Sequence, residues 1–191
     1  MSEWRPQLRI ESIIQLIDQT PAANTLNTKV IAIDGRGGAG KSTLAQILSD
    51  RMGNSPIVPT DDFASWGNPF EWAPRFLEEV LLPLARGESI QYQRSDWDPP
   101  HLVETIEVPL SGLLIIEGVG SSRLSFAPYI SFAIWIETPR IERLKRGLER
   151  DGVRMLDEWN KWMAEEEIYV AGEKPQERAD VVLSGESPLP D

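Results

Sequence analysis

The sequence contains no cysteine, a single histidine and no long hydrophobic run. Without cysteine there is no disulfide framework, thiol nucleophile or thiolate metal site, which fits a reducing compartment. Because His101 is the only histidine, we expect no histidine-dependent catalysis and interpret this residue as structural or solvent-facing. The first residues, MSEWRPQLRIES, lack a signal-peptide core, and no stretch approaches the roughly 18 apolar residues of a membrane span. These absences predict a cytoplasmic protein with no membrane partner.

Basic residues are outnumbered by acidic ones. The chain carries 19 Lys and Arg against 30 Asp and Glu, for a formal net charge of -11. Broad binding to nucleic acid depends on clustered cations, so we expect no nucleic-acid partner and only a local phosphate site. With 191 residues, 41% of them hydrophobic, the chain is long enough for one substantial core, which predicts a single domain over residues 1–191.

Short apolar runs alternate with helical patterns along the chain. The predicted strands are KVIAID, PIVPT, GLLIIEG, SFAIWIE and ADVVLSG. Amphipathic helices are predicted over residues 8–17, 42–51, 74–84 with a break at Pro83, 140–150 and 155–170. Strands that alternate with helices indicate a parallel sheet covered on both faces. We therefore expect an α/β core over residues 29–185, after an N-terminal helix and lead-in at 1–28 and before a frayed tail at 186–191.

The strongest local signal is GRGGAGKST, which matches G-x-x-x-x-G-K-[ST] between a predicted strand and a predicted helix. Its glycines allow the backbone to turn successive N–H groups toward phosphate oxygens, and the helix that follows adds its positive end. Lys41 is expected to neutralise the β and γ phosphates of ATP, and Ser42 to help hold Mg²⁺. The predicted phosphate-binding residues are Gly35, Gly37, Gly38, Ala39, Gly40, Lys41, Ser42 and Thr43. A glycine turn that binds nothing would not need the Lys-Ser pair.

Two further segments carry groups suited to phosphoryl transfer. Glu117 ends the apolar strand GLLIIEG, where it is either a second Mg²⁺ ligand or a solvated strand-end residue. The segment RIERLKRGLERDGVR places Arg143, Arg146 and Arg150 on one helix face. These arginines either close over the phosphoryl group as a lid or pair with neighbouring glutamates on a solvated face.

The segment TDDFASWGNPFEW follows the second predicted strand. A carboxylate at the carboxyl end of the strand beside the phosphate loop lies where open α/β sheets bind ligands. Asp61 is therefore the candidate that accepts a proton from an attacking hydroxyl. Asp62, one residue later, should point elsewhere. The alternative is that both aspartates serve as loop and helix-capping residues.

Together AIDGRGGAGKSTLA, PTDDF, LLIIEG and RLKRGLERDG resemble, in order and spacing, the uridine kinase-like family of P-loop small-molecule kinases. Pantothenate kinase and phosphoribulokinase are relatives of that family. The resemblance extends from Lys29 to about Gly185. It implies a P-loop three-layer sandwich with about five parallel strands and an arginine-bearing lid. It also implies that Asp61 activates the acceptor hydroxyl, that Glu117 lies near Mg²⁺ and that Arg150 is the lid arginine. From the arginine-rich segment itself, Arg146 and Arg154 are predicted as further lid residues.

The chain departs from nucleoside kinases where those enzymes read the base. The stretch YQRSDWDPPH retains Tyr92 but has Arg94 and Trp97 in place of the expected Phe and His. In the lid, Gly147 replaces a repeated arginine. The predicted acceptor-binding residues are Asp62, Trp66, Glu71, Arg75, Tyr92, Arg94, Asp96 and Trp97.

Two groups of tryptophans have different expected roles. Those of the two loops either pack in the core or line the acceptor pocket, whereas the spacing of Trp159 and Trp162 on the last long helix favours core packing.

The expected function is transfer of the γ phosphoryl group of ATP to a hydroxyl of a small molecule, with uridine or a related nucleoside as the family-based acceptor. Pantothenate or a sugar-like alcohol is the alternative acceptor. A nucleotide-binding regulatory protein that has lost its acceptor is the alternative from another functional class. The resemblance further places the segment KPQERAD, with Arg178, near the nucleotide base.

Overall fold

A computed structural model describes residues 8–23, 26–97 and 102–187. The strands, in chain order, are β1 (Lys29–Gly35), β2 (Ile57–Pro59), β3 (Ile90–Ser95), β4 (Leu102–Val108), β5 (Leu113–Glu117), β6 (Phe132–Glu137) and β7 (Val181–Ser184). The main helices are α1 (Ile10–Gln19), α2 (Lys41–Arg51), α3 (Ala73–Phe76), α4 (Leu82–Ala85), α5 (Arg140–Asp151), α6 (Leu156–Glu173) and α7 (Pro175–Arg178). Residue 101 and residues 188–191, and with them the interpretation of His101 and most of the expected frayed tail, lie outside the described residues.

Five strands form one parallel sheet in the order β2-β5-β1-β6-β7. The β1 residues alternate between two cores because successive side chains in a strand point to opposite faces. Val30 and Ala32 pack in a cluster with α6 and the helical segment at 73–85, whereas Ile31 and Ile33 pack with α1 and α2. The predicted five-stranded α/β sandwich, with helices on both faces, is confirmed.

The predicted break at Pro83 is wrong. The chain stays helical from Ala73 to Ala85, and a π-helical turn over Leu77–Leu81 joins α3 to α4. Pro83 follows this π-helical turn, and as a proline without a backbone N–H it removes one hydrogen bond from the continuous helix. The wider turn absorbs the change of hydrogen-bond register before the proline.

A two-stranded antiparallel sheet of β3 and β4 was not predicted. Ile90 and Tyr92 point inward and their neighbours outward, so the strand has the period-2 burial of a half-exposed hairpin. Its exposed positions are polar, which made this region resemble a loop in the sequence. No helix within the described ranges has both the length and the hydrophobicity needed to cross a bilayer.

Candidate active site

The glycine-rich loop lies between β1 and α2 at the carboxyl edge of the sheet. Gly38 and Gly40 have φ angles of 77° and 105°, a region that side chains other than glycine rarely adopt. A Cβ at Gly38 would lie 2.5 Å from the carbonyl oxygen of Arg143, whereas Gly40 opens onto free space. Lys41 is largely buried and its Nζ donates to the carbonyl oxygen of Arg36 at 3.0 Å. The loop thus has the open, glycine-dependent shape that a phosphate cradle requires.

A hydroxyl and a carboxylate meet beside this loop. Ser42 Oγ, in the first turn of α2, donates to Oε1 of Glu117 at 3.0 Å. Burial raises the pKa of Glu117, and the ammonium of Lys41 acts in the opposite direction. The described residues contain no group of three or more His, Cys, Asp or Glu side chains suited to a metal ion. One hydroxyl and one carboxylate nevertheless fit Mg²⁺, which usually takes one or two protein oxygens together with phosphate oxygens and water.

Asp61 and Asp62 lie in a 3-10 turn directly after β2 and face different surroundings. Asp61 lines the same cleft as Lys41, Ser42 and Glu117. Asp62 instead accepts a hydrogen bond from the hydroxyl of Tyr92 at 2.6 Å, and burial raises its pKa. The expectation that the second aspartate points elsewhere therefore agrees with the structure, and Asp61 alone reaches the cleft.

The three predicted lid arginines, in α5 and just after it, have different surroundings. Arg150 lines the cleft, donates to Asp151 at 2.8 Å and lies over the ring of Trp159 at 5.7 Å. The hydrogen bond to Asp151 raises the pKa of Arg150, and the charges of Asp61 and Glu117 add to this effect. Arg146 also lines the cleft and donates to the carbonyl oxygen of Gly185 at 2.9 Å. By contrast, Arg154 is exposed in the turn Val153–Met155 and is not part of the cleft lining, because α5 has ended before it.

Arg143 forms a buried ion pair that the sequence did not indicate. Its Nη1 donates to Oε2 of Glu166 at 3.1 Å, and both side chains are almost fully buried. Oε1 of Glu166 accepts from the backbone N–H of Gly37 at 2.5 Å and from Trp162 Nε1 at 2.7 Å. This pair fixes the phosphate loop to α5 and α6, so Arg143 is a positioning residue rather than part of the lid.

Asp34, at the end of β1, is a second buried group that sequence reasoning missed. Its carboxylate accepts five hydrogen bonds, from Gly35 N, Gly120 N, Ser122 N, Ser122 Oγ and the Tyr169 hydroxyl. These donors come from the phosphate loop, the loop after β5 and α6. Asp34 therefore ties together the segments that carry Lys41 and Glu117.

Four tryptophans form one side of the cleft, which we call the tryptophan wall: Trp66, Trp97, Trp159 and Trp162. Trp66 has its ring centroid 5.2 Å from that of Trp97 and 5.9 Å from that of Trp162. Trp159 and Trp162 are buried, as their helical spacing predicted, yet their ring edges reach the cleft. The loop residues Trp66 and Trp97 pack against the core and also line the cleft, so both alternatives left open by the sequence hold.

Six of the predicted acceptor residues do not line the cleft: Asp62, Glu71, Arg75, Tyr92, Arg94 and Asp96. Tyr92 and Arg94 lie two positions apart on the same side of β3, where Tyr92 donates to Asp62 and Arg94 forms a salt bridge with Glu104. Arg75 is held by Glu79 and Ser95. Glu71 is exposed, and Asp96 accepts from the N–H of the next residue, Trp97. Local hydrogen bonds and ion pairs thus direct these polar groups away from the phosphate loop.

A second cavity adjoins the phosphate loop on its other side. Thr43, Leu44 and Ile47 of α2 line it, together with Ile136, Arg146 and the segment 183–187 that ends β7. Arg178, expected near the nucleotide base, instead donates to the carbonyl oxygens of Glu173 and Ser122. The lining of this cavity therefore comes mainly from α2, Ile136 and the end of β7, and not from the KPQERAD segment.

Comparisons with known proteins support this architecture. No protein-family model and no curated protein matches the chain in sequence. Among solved structures, one described as a possible uridine kinase from Bacillus stearothermophilus is similar with a TM-score of 0.68 and 22% identity, covering 92% of this chain and 97% of that one. A proposed fructose transport system kinase from Silicibacter sp. TM1040 gives a TM-score of 0.66 and 18% identity, covering 92% and 98%. The chain therefore has the P-loop α/β fold of these two structures over nearly its whole length.

Proposed function

We propose that the protein is an ATP-dependent kinase that transfers the γ phosphoryl group to a hydroxyl of a small molecule. The observation that carries this proposal is the placement of Asp61 and Arg150 in one cleft with Lys41, Ser42 and Glu117. A phosphate cradle alone would also suit a nucleotide sensor. A carboxylate that can accept the proton and a cation that can stabilise the phosphoryl charge, both lining the same cleft as the cradle, are the additional groups that phosphoryl transfer requires.

The donor half of the site fits ATP. The backbone N–H groups of the loop and the ammonium of Lys41 would bind the β and γ phosphates. The second cavity would hold the adenine, because it offers apolar surface from Leu44, Ile47 and Ile136 next to the loop. Arg146 lines both cavities and would lie between the base and the phosphates.

In the chemical step, Asp61 would orient the acceptor hydroxyl and accept its proton as the oxygen attacks the γ phosphorus. Arg150 and Lys41 would stabilise the charge that spreads over the phosphoryl oxygens. Ser42 and Glu117 would hold Mg²⁺, which when bound neutralises charge on the β and γ phosphates. The tryptophan wall would exclude water, and thereby limit hydrolysis in place of transfer.

For the acceptor, we propose a nucleoside such as uridine as the first compound to assay. The similarity to a possible uridine kinase and the match of Asp61 to the family pattern support this choice. Pantothenate and sugars are the alternative acceptors, since the polar residues expected to read a base lie outside the cleft.

The proposal is tested by ADP release from Mg·ATP with and without uridine, cytidine, pantothenate, ribose and fructose. We expect at least one hydroxyl compound to stimulate ADP release well above the rate with ATP alone. Bound ATP with no stimulation by any alcohol would contradict the kinase and favour a regulatory nucleotide-binding protein. Lys41→Ala is the matched control, because weaker ATP binding should strongly reduce the stimulated release.

A further inference from the structure

The chemical character of the tryptophan wall indicates how the acceptor is recognised, and this inference rests on the proposed function. Besides the phosphate loop and the charged groups Asp61, Glu117 and Arg150, the cleft surface consists mainly of indole rings and Val119. Trp66 and Trp97 are half-buried and belong to loops, so their rings remain available to a ligand.

Most polar atoms of the wall already have partners. Trp97 Nε1 donates to the carbonyl oxygen of Asp61 at 3.0 Å, and Trp159 Nε1 donates to Asp151 at 3.0 Å. Trp162 Nε1 donates to Glu166. Three of the four indole N–H groups are therefore engaged, and the wall presents mainly aromatic carbon to the cleft.

The spacing of the rings distinguishes a stacking surface from a cage. Trp66 lies 5.2 to 6.1 Å, centroid to centroid, from the other three tryptophans at interplanar angles of 71° to 80°. Such separations are direct edge-to-face contacts between rings. They leave no space for an ammonium group between the rings, so the wall is a surface for a flat ligand and not an aromatic cage for a cation.

The size of the cleft adds a limit. Its volume is about 220 Å³, below the roughly 300–1,000 Å³ of ordinary ligand pockets. Because the phosphates of the donor take part of this space, the body of the acceptor must be small or thin.

We infer that the acceptor is an alcohol with a planar aromatic or heteroaromatic ring, which stacks on Trp66 and meets Trp97 edge-on while its hydroxyl faces Asp61. Nucleosides belong to this class through their base, as do hydroxymethyl derivatives of pyridine and pyrimidine. Ring-free polyols and pantothenate do not. Within the described lining, the polar side chains are those assigned to the phosphates, Mg²⁺ and the hydroxyl, together with the indole N–H of Trp66, so compounds of equal shape and different donor pattern should bind with similar affinity.

A binding measurement tests this inference separately from catalytic turnover. Calorimetry with a non-hydrolysable ATP analogue and Mg²⁺ would compare matched pairs: benzyl alcohol with cyclohexylmethanol, uridine with ribose, and uridine with cytidine. In the first two pairs, from the strength of base–aromatic stacking, we expect the compound with the planar ring to bind at least about 5-fold more tightly than its partner. Uridine and cytidine should agree within about 3-fold, since one-ring stacking tolerates changes of donor pattern.

Variants of Trp66 identify the surface responsible. Trp66→Leu should remove the preference for planar compounds, whereas Trp66→Phe keeps a ring and should retain it. Trp72→Phe, in the core and outside the cleft lining, is the control that should change neither affinity. Equal binding of planar and saturated partners, preference for ribose or pantothenate, or a large difference between uridine and cytidine would each overturn the inference. ADP release measured in parallel reports on the proposed function separately, because ring binding without turnover would contradict only the kinase.

Discussion

Gly147 lies in the middle of α5, and the indole ring of Trp159 fills the space where a side chain would start. A Cβ at this position would lie 2.4 Å from both Cε2 and Cζ2 of Trp159. Ordinary contacts between carbon atoms are about 3.5–4.0 Å. Gly147→Ala therefore forces Trp159 to move. That ring also donates to Asp151 and lies under the guanidinium of Arg150, so the substitution disturbs the proposed lid arginine as well.

The expected cost follows from three contributions. Overpacking costs about 1–3 kcal/mol, and loss of a hydrogen bond to the charged Asp151 costs about 1.5–3 kcal/mol. Alanine in place of glycine within a helix returns about 0.5–1 kcal/mol. Gly147→Ala should thus lower the free energy of unfolding by about 1.5–5.5 kcal/mol.

Urea denaturation, followed by circular dichroism, measures this change. Gly172→Ala is the matched control, because Gly172 is also helical and its Cβ would meet no atom within 4 Å. The control should be neutral or stabilising by up to about 1 kcal/mol. Stability of Gly147→Ala equal to or above that of the wild type would refute the packing of Trp159 on α5. With acceptor present, we also expect a lower kcat, since Arg150 loses its support.

Three further perturbations test other parts of the account. Lys41→Ala should weaken ATP binding about 10- to 100-fold, measured by calorimetry, because it removes a charged donor to phosphate; an unchanged Kd would contradict the phosphate site. Asp34→Asn replaces one acceptor oxygen of a buried five-donor hub, so urea denaturation should show a loss of about 2–4 kcal/mol, and a neutral effect would contradict the hub. Burial and the carboxylates of Asp62 and Asp34 raise the pKa values of Tyr92 and Tyr169 above the ordinary value of 10.0. The unfolded chain releases these protons first, so stability should fall above about pH 10 by up to about 1.4 kcal/mol per pH unit for each tyrosine, and an unchanged slope in Tyr169→Phe would contradict the buried Tyr169–Asp34 contact.

Much of the fold was predictable because its signals are local. The five strands are short apolar runs, and their alternation with helices predicts the parallel pairing that the sheet has. The phosphate loop was predictable for the same reason, since nine consecutive residues carry its motif. Likewise Asp61 and Asp62, adjacent in sequence, differ in direction because a 3-10 turn follows β2.

The groups that position the site depend on distant contacts. Asp34 meets Tyr169, 135 positions away, and Glu166 meets Gly37, 129 positions away. In the sequence, Glu166 belongs to the acidic run AEEEIY, which is typical of a solvated helix face. Only the tertiary structure shows that this one carboxylate turns inward.

The hairpin explains why Tyr92 and Arg94, both predicted to bind the acceptor, lie outside the cleft lining. Tyr92 and Arg94 were predicted to bind the acceptor because they align with base-reading positions of related kinases. Pairing of β3 with β4 fixes their directions, however, and directs both away from the cleft. The tryptophans that do line it include Trp159 and Trp162, whose spacing on α6 indicates core packing and gives no sign of their exposed edges.

The central claim is that Asp61 activates an acceptor hydroxyl for attack on the γ phosphate of ATP. The most direct measurement follows label from γ-³²P ATP into the acceptor and into inorganic phosphate, for wild type and Asp61→Asn. The wild type should transfer label to the acceptor. The variant should transfer it about 10²- to 10⁴-fold more slowly with an ATP Kd within about 2-fold of wild type, since Asp61 lies outside the phosphate cradle. Label transfer at the wild-type rate by the variant would contradict the claim.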